Sequence, residues 1–466
     1  MMEKEKETNI SALGSSSSSQ DADIISGIDE AKLLRRIDFR VLPMLFTIYV
    51  VAFLDRVNVS NALTMKMPEE LGMTGQQPNI ALTIFFIPYI IFEIPSNILM
   101  KKLNPHIWLS LCILGFGIIM IGQGFVKTVG GLYATRFFLG LLEAGIFPGS
   151  FYLISFWYKR EEAQKRFTVY WSSVMAAGAF GGLLATAIAK MDGMLGHSNW
   201  RWIFILEGIL TVLVGIAAFF LVSDFPREAK WLTEEERRFV MAKTHTDESH
   251  QVSVKFKDII EFFKDPKQYL GGLMYFSIVT PVYAFSFFTP TIVRTLGYSV
   301  VQTQLHSVPP FAAALVLCLI MAYISDKINL RLPFILFGYA LLIVGLAILL
   351  CIHHKFSPQY GGIHLVLMGS LGAGASIVCW YLMNLKGHKQ RSIGSGFMIS
   401  FGNTGGILAP FTFLKKDAPN YETGYSICMA MAVLGIASSV TYGVLVWREK
   451  KAARRNGDED AEFLSL

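Results

Sequence analysis

Two pairs of opposite charges interrupt apolar stretches of this sequence: Asp55 and Arg56 in "YVVAFLDRVNVSNAL", and Arg136 and Glu143 in "ATRFFLGLLEAGIFPGS". At the centre of a lipid-spanning helix each charge costs about 2.5–3.5 kcal/mol, so such groups must be matched by one another or by water. A buried guanidinium can hold a carboxylate through two parallel hydrogen bonds. A desolvated carboxyl can take up a proton and give it back. Seven residues make two helical turns, so Arg136 and Glu143 share a helix face about 10 Å apart in height.

The elements that must position these groups are bilayer-crossing helices. The chain has 466 residues, 53% hydrophobic and 16% charged, with mean hydropathy +0.46. An average soluble domain is about 25% charged. A crossing takes about 20 largely apolar residues. Twelve stretches qualify: residues 39–60, 79–100, 107–126, 131–153, 168–189, 202–222, 268–290, 305–324, 332–351, 362–384, 393–414 and 425–447. They predict an all-α membrane protein of twelve transmembrane helices in two six-helix bundles, residues 38–223 and 268–447. Six spans, a soluble linker and six more is the pattern of a duplicated transporter. Residues 1–37 read as a disordered tail: they are polar, carry the run Ser15–Ser19 and lack the apolar core of a signal peptide. Residues 448–466 form a second tail.

The linker, residues 224–267, carries nine Lys/Arg and ten Asp/Glu. Within it "WLTEEERRFVMAK" reads as an amphipathic helix opened by a capping box of Thr233 and Glu236. Besides the central linker, loops after even-numbered spans carry eleven basic residues against eight after odd-numbered ones. Lys32, Arg35, Arg36 and Arg40 at the first span, and Arg448, Lys450, Lys451, Arg454 and Arg455 after the last, point the same way. Positive charge marks the cytoplasmic side, so both termini are expected there.

With that orientation Asp55 and Arg136 both lie about 7–8 Å below the outer boundary, at 1.5 Å per residue, and can pair if their helices are neighbours. Glu143 falls near the midplane. Two arginines against two carboxylates leave no spare positive charge while both acids are ionised. Protonating one frees an arginine to hold an anion, which ties movement of a proton to movement of a carboxylate. Glu143, the deeper acid, is the expected proton carrier, with Asp55 gating or sharing the proton. The second half offers no charge in the apolar centre of any span, only groups such as Tyr275, Tyr283, Trp380, Tyr381, Asn384 and Asn403.

Blander readings compete. Buried ion pairs can be purely architectural. Glu93, two residues before Pro95, and Glu207 are expected to make structural hydrogen bonds. Gly145/Gly149 and Gly178/Gly182 are expected packing surfaces. Cys112, Cys318, Cys351, Cys379 and Cys428 fall in or beside apolar runs without metal-ligand spacing, and read as buried free thiols. The histidines form no metal cluster, no phosphate-binding Gly-x4-Gly-Lys-[Ser/Thr] loop occurs, and the net charge of +6 is spread over short loops. These features argue against an enzyme, an ATP-driven pump and a nucleic-acid partner. No cofactor is expected beyond a proton gradient.

On "RRIDFRVLPMLFTIYVVAFLDRVNVSNAL", "IPYIIFEIPSNILMKK", "TRFFLGLLEAGIFPGSFYLISFWYKR", "WRWIFILEG", "FGNTGGILAP" and "DAPNYETGY" the chain resembles the major facilitator superfamily. Within it, the resemblance is to the fungal anion:cation symporters typified by allantoate and nicotinate permeases, from about Arg35 to Trp447. It implies proton coupling by Asp55 and Glu143, and a substrate carboxylate steered by Arg56 and Arg136. It also implies substrate contacts by Tyr89, in the pattern Tyr-x3-[Gln/Glu]-Ile-Pro, and by Asn403 in "GNTGG". The chain departs from the superfamily pattern after the second span, where "KKLNPHIW" lacks the usual Gly-x3-Asp-Arg signature. It departs again before the eleventh, where Gln390 and Ser392 replace the usual residues.

The leading expectation is a proton-coupled symporter of a small organic anion, such as a carboxylated vitamin or an allantoate-like nutrient. It would be a monomer in the plasma membrane, its partners the solute, protons and lipid. An exporter of a carboxylated secondary metabolite would suit the same residues, and a nutrient sensor derived from a transporter is a third reading.

Overall fold

The computed structural model describes residues 28–244 and 256–456, except 296, 329, 354 and 386. Described residues are almost wholly helical or in short turns, with α-helices and brief 3-10 segments as the regular elements. The first half includes, besides one turn of helix at Met67–Glu70, α1 (Glu30–Leu63), α2 (Gln77–Thr83), α3 (Phe86–Leu103), α4 (Pro105–Gln123), α5 (Val129–Glu143), α6 (Ile146–Trp157), α7 (Arg160–Ile188) and α8 (Asn199–Leu221). Two linker helices follow, α9 (Glu234–Thr244) and α10 (Phe256–Phe262). The second half comprises α11 (Pro266–Thr295), α12 (Val300–Ile328), α13 (Leu332–Cys351), α14 (Phe356–Met383), α15 (Gly387–Asn403), α16 (Gly405–Leu408) and α17 (Glu422–Asn456).

Each of the twelve apolar stretches is helical over most of its length, and among the described residues eleven helical segments are long and apolar enough to cross a bilayer. The exception is 393–414, delivered as α15, α16 and a 3-10 turn, Ala409–Phe411. Gly405, Gly406 and Pro410 explain the break, because glycine disfavours the helix interior and proline supplies no N–H to the preceding turn. The tail assignment needs correction as well. Asp29 caps α1 by accepting from the Lys32 N–H at 3.1 Å, so residues 30–37 are helical. Residues 1–27, 245–255 and 457–466 of the expected tails and linker lie outside the described residues.

Within each half, helices approach closely where glycines face each other. A Cβ on Gly208 of α8 would lie 2.8 Å from Ile121 of α4, and one on Gly345 of α13 would lie 2.7 Å from the Gly362 carbonyl of α14. Small residues let backbones meet where lipid gives no hydrophobic drive. Gly178 and Gly182 of α7 do the same between halves, fitting against Phe311 and Val308 of α12. Gly145 and Gly149 also pack as expected, on Ser96 and Met100 of α3. All five cysteines are free, and Cys351, at the end of α13, is exposed where a buried thiol was expected.

The linker helix α9 is strapped to the first half. Thr233 and Glu236 form the expected capping box at 3.0 and 3.2 Å. Arg36 pairs with Glu236, Lys243 with Glu30 and Glu162 at 2.6 and 2.7 Å, and Trp231 stacks on Trp157. Burial pushes the Glu236 carboxyl up, but the Thr233 amide and Arg36 outweigh it and hold it below the usual carboxylate range. These contacts define a terminal end of the molecule, which carries the start of α1, the start of α7 and the linker. The opposite end is the distal end.

Candidate functional site

Every residue of α1 from Val51 to Ala62 is buried, so this part of the helix runs through the centre of the molecule. Consecutive side chains on a helix point about 100° apart. Asp55 and Arg56 therefore face different neighbours. Asp55 turns to α8, where the Thr211 hydroxyl donates to its Oδ2 at 2.8 Å. Arg56 turns to the seam between the two halves.

The Arg56 guanidinium is 1% exposed and makes three directed hydrogen bonds. Its Nε donates to Oε1 of Glu143 at 3.1 Å, and its Nη2 donates to the same oxygen. Its Nη1 donates to the hydroxyl of Tyr283, on α11 in the second half. That hydroxyl in turn donates to Oδ1 of Asn403 at 3.1 Å. The rings of Tyr89, Phe85, Tyr283 and Phe53 surround the guanidinium, with centroids 4.9, 5.1, 5.6 and 5.7 Å from its carbon. Aromatic faces attract a cation and shield it from water, so they help offset its burial.

Glu143 is the last residue of α5, and Asn403 is the last of α15. Both sit where the chain leaves helical geometry. Pro148 supplies no N–H to the Ala144 carbonyl, and the helix resumes only at Ile146. The break lets Gly145 nestle against Ser96, where a Cβ would lie 1.8 Å from the serine oxygen.

Arg136 is fully buried one layer toward the distal end. Its Nε donates to the Ala81 carbonyl at 3.3 Å and its Nη2 to the Arg56 carbonyl at 3.5 Å, while Nη1 has no partner among the described residues. The contact with the backbone of residue 56 places Arg136 at the expected depth. The expected pairing with Asp55 does not form. Glu207 accepts a hydrogen bond from Asn58 at 2.5 Å, in keeping with a structural role. The structural hydrogen bond expected of Glu93 is absent: neither oxygen has a partner among the described residues.

A small cavity of about 10 Å³, the start of a cleft, lies on the terminal side of Arg56. Tyr49, Phe53, Tyr89 and Trp171 line it from the first half, and Tyr275, Tyr283 and Asn403 from the second. Its floor at the distal side is closed by bonds between halves. Ser60 donates to the Phe287 carbonyl, Arg294 to the Thr64 carbonyl, Gln304 to the Thr64 hydroxyl at 3.2 Å, and Asn79 to the Pro410 carbonyl. The lining is mostly aromatic with a few convergent polar groups, the composition of a small-molecule site, but so small a volume means the halves must part to admit a solute.

Tyr283 was the functional candidate that sequence reasoning left without a role. A tyrosine inside the seventh apolar run was visible, but nothing along the chain says that its hydroxyl meets Arg56.

Residues 45–410 match the model of the Major Facilitator Superfamily. The chain belongs to that superfamily. Its curated relatives include the MFS-type transporter cnsO of Penicillium expansum, 32% identical over 460 residues, covering 94% of this chain and 88% of the relative. The high-affinity nicotinic acid transporter of Saccharomyces cerevisiae is 29% identical over 424 residues, covering 90% and 78%. Among solved structures, a bacterial homologue of the human lysosomal transporter Spinster, inward-facing and unoccupied, matches with TM-score 0.64 at 15% identity, covering 86% of this chain and 95% of that one. The proton:xylose symporter XylE bound to 6-bromo-6-deoxy-D-glucose matches with TM-score 0.64 at 14% identity, covering 85% and 94%. This superfamily member is a multi-pass membrane protein and a secondary transporter of a small molecule, not an enzyme.

Proposed function

We propose that this superfamily member is a proton-coupled symporter of a small organic anion, in the plasma membrane, with the cleft beside Arg56 as its substrate site. The observation that carries the reading is the Arg56–Glu143 pair, buried at the seam and bonded to the second half through Tyr283. While Glu143 is ionised it occupies two of the guanidinium's donors. A proton on Glu143 cancels the attraction and releases those donors to a carboxylate in the cleft. Arg136 adds an unpartnered Nη1 nearby, Asp55 shares or gates the proton from the other face of α1, and Tyr89 and Asn403 contact the solute.

The aromatic walls favour a flat solute body over a polyhydroxylated one, since ring faces offer dispersion and few hydrogen bonds. A nicotinate-like aromatic or heteroaromatic carboxylate fits that description, and the relative in Saccharomyces cerevisiae is named for nicotinic acid. The test is uptake of labelled nicotinate and other small carboxylates into cells lacking their own permease, with and without a proton uncoupler. Uncoupler-sensitive accumulation of a carboxylate supports the reading. Accumulation that ignores the uncoupler, or net export, overturns symport.

A further inference from the structure

Glu93 is a fully buried carboxyl on α3, and neither of its oxygens has a hydrogen-bond partner among the described residues. It lies one helical turn beyond Tyr89 toward the terminal end, about 6 Å along the axis. Across the seam, the hydroxyl of Ser400 on α15 in the second half is the side-chain donor that acts on Glu93, short of full hydrogen-bond geometry among the described residues. A carboxylate buried without donor or cation costs several kcal/mol, whereas the neutral acid costs far less. The cation that acts on Glu93 is Arg56, already held by Glu143 and Tyr283. Other titratable groups that act on Glu93 are Tyr89 on α3 and Tyr275 and Tyr283 on α11. Cys112 lies one turn past Trp108 on the adjoining α4 and is also buried.

We propose that Glu93 is a second proton-carrying site of the transport cycle, separate from Glu143 and set at the seam between the halves. This rests on the proton-coupled reading above. With the seam closed over it, Glu93 holds its proton as a covalent O–H. When the halves part and water reaches α3, that bond breaks, the proton passes to water, and the carboxylate remains until water on the other side returns a proton. A bare carboxylate resists closure around the solute, so the loaded step waits for protonation; once the solute has left, Arg56 offsets the charge and the empty return proceeds without the proton. Glu93 therefore ties the loaded step to protonation without itself contacting the solute.

The test compares wild type with Glu93→Gln and Glu93→Asp in proteoliposomes, using the carboxylate found to be transported. Each proton carried makes a one-unit pH gradient worth about tenfold accumulation. Glu93→Gln is expected to lose about tenfold accumulation per pH unit yet keep counterflow exchange at equal pH, and Glu93→Asp to keep both. Glu93→Gln with wild-type accumulation, in a wild type that is proton-driven, overturns the role of Glu93 alone. A wild type indifferent to the gradient overturns the proton-coupled reading itself. If the glutamine variant does not insert, carbodiimide labelling of the wild type decides. An adduct on Glu93 that fades as the medium turns alkaline is expected, and a pH-independent yield overturns the proposal.

Discussion

Arg56 in the first half donates a hydrogen bond to the hydroxyl of Tyr283 in the second, while the rest of the same guanidinium is held by Glu143. One side chain thus senses both the charge of an acid and the closeness of the two halves. Any change in the protonation of Glu143 alters the strength of a contact across the seam, which is the physical requirement for coupling a proton to a domain movement.

Neutralising Glu143 should separate exchange from accumulation. Glu143→Gln keeps shape but cannot gain or lose a proton. Accumulation driven by a one-unit pH gradient should fall about tenfold for each proton lost, with counterflow retained. Preserved uphill uptake in proteoliposomes would remove Glu143 from the coupling mechanism.

Replacing Arg56 with lysine keeps the charge and loses the planar fork. Three directed hydrogen bonds and four ring contacts depend on that plane. Carboxylate affinity should weaken by about ten- to hundredfold, or roughly 1.4–2.8 kcal/mol. Saturation binding of the labelled solute measures this, and an unchanged Kd would mark the fork as purely architectural.

Tyr283→Phe and Asn403→Ala each cut the same chain of hydrogen bonds, Arg56 to Tyr283 to Asn403. Their effects on transport efficiency should overlap, with the double variant about as impaired as the worse single one, a coupling of roughly 0.5–3 kcal/mol. Strict additivity would show that the two residues act independently.

Two neighbouring glycines of α7 should respond differently to a methyl group. A Cβ at Gly178 would sit 2.4 Å from the Phe311 ring, whereas at Gly181 the nearest atom is 3.9 Å away. Gly178→Ala should destabilise the seam by about 1–3 kcal/mol, read as a lower Tm in detergent and slower transport. Gly181→Ala should match wild type.

Acid should loosen the linker helix. The Glu236 carboxyl is held below its ordinary range. Its contribution to docking is therefore complete above the ordinary carboxylate pKa of about 4.3 and is lost as pH falls through the lowered value. Hydrogen exchange across α9 should be flat near neutrality and rise only in that acidic window, beyond the intrinsic pH effect. Glu236→Gln should show faster exchange already at neutral pH.

The sequence by itself determined eleven of the twelve apolar crossings, because the cost of exposing backbone to lipid is set by local composition and length. It located the twelfth run without its break at Gly405 and Pro410. It also determined which ionisable groups are buried, and the depth shared by Arg136 and residue 56, since rise per residue is a property of one helix. Partners were a different matter. Rotation of one helix against another, and the breaks at Pro148 and Pro410, decide whether neighbouring side chains converge or diverge. Asp55 and Arg56 differ by one position, yet the first meets Thr211 and the second meets Glu143 and Tyr283. The lone state of Glu93 was equally illegible, for an unpartnered carboxyl is defined by what surrounding helices fail to present. Only the packed structure decides that, because pairing depends on distances between segments that the covalent chain leaves free.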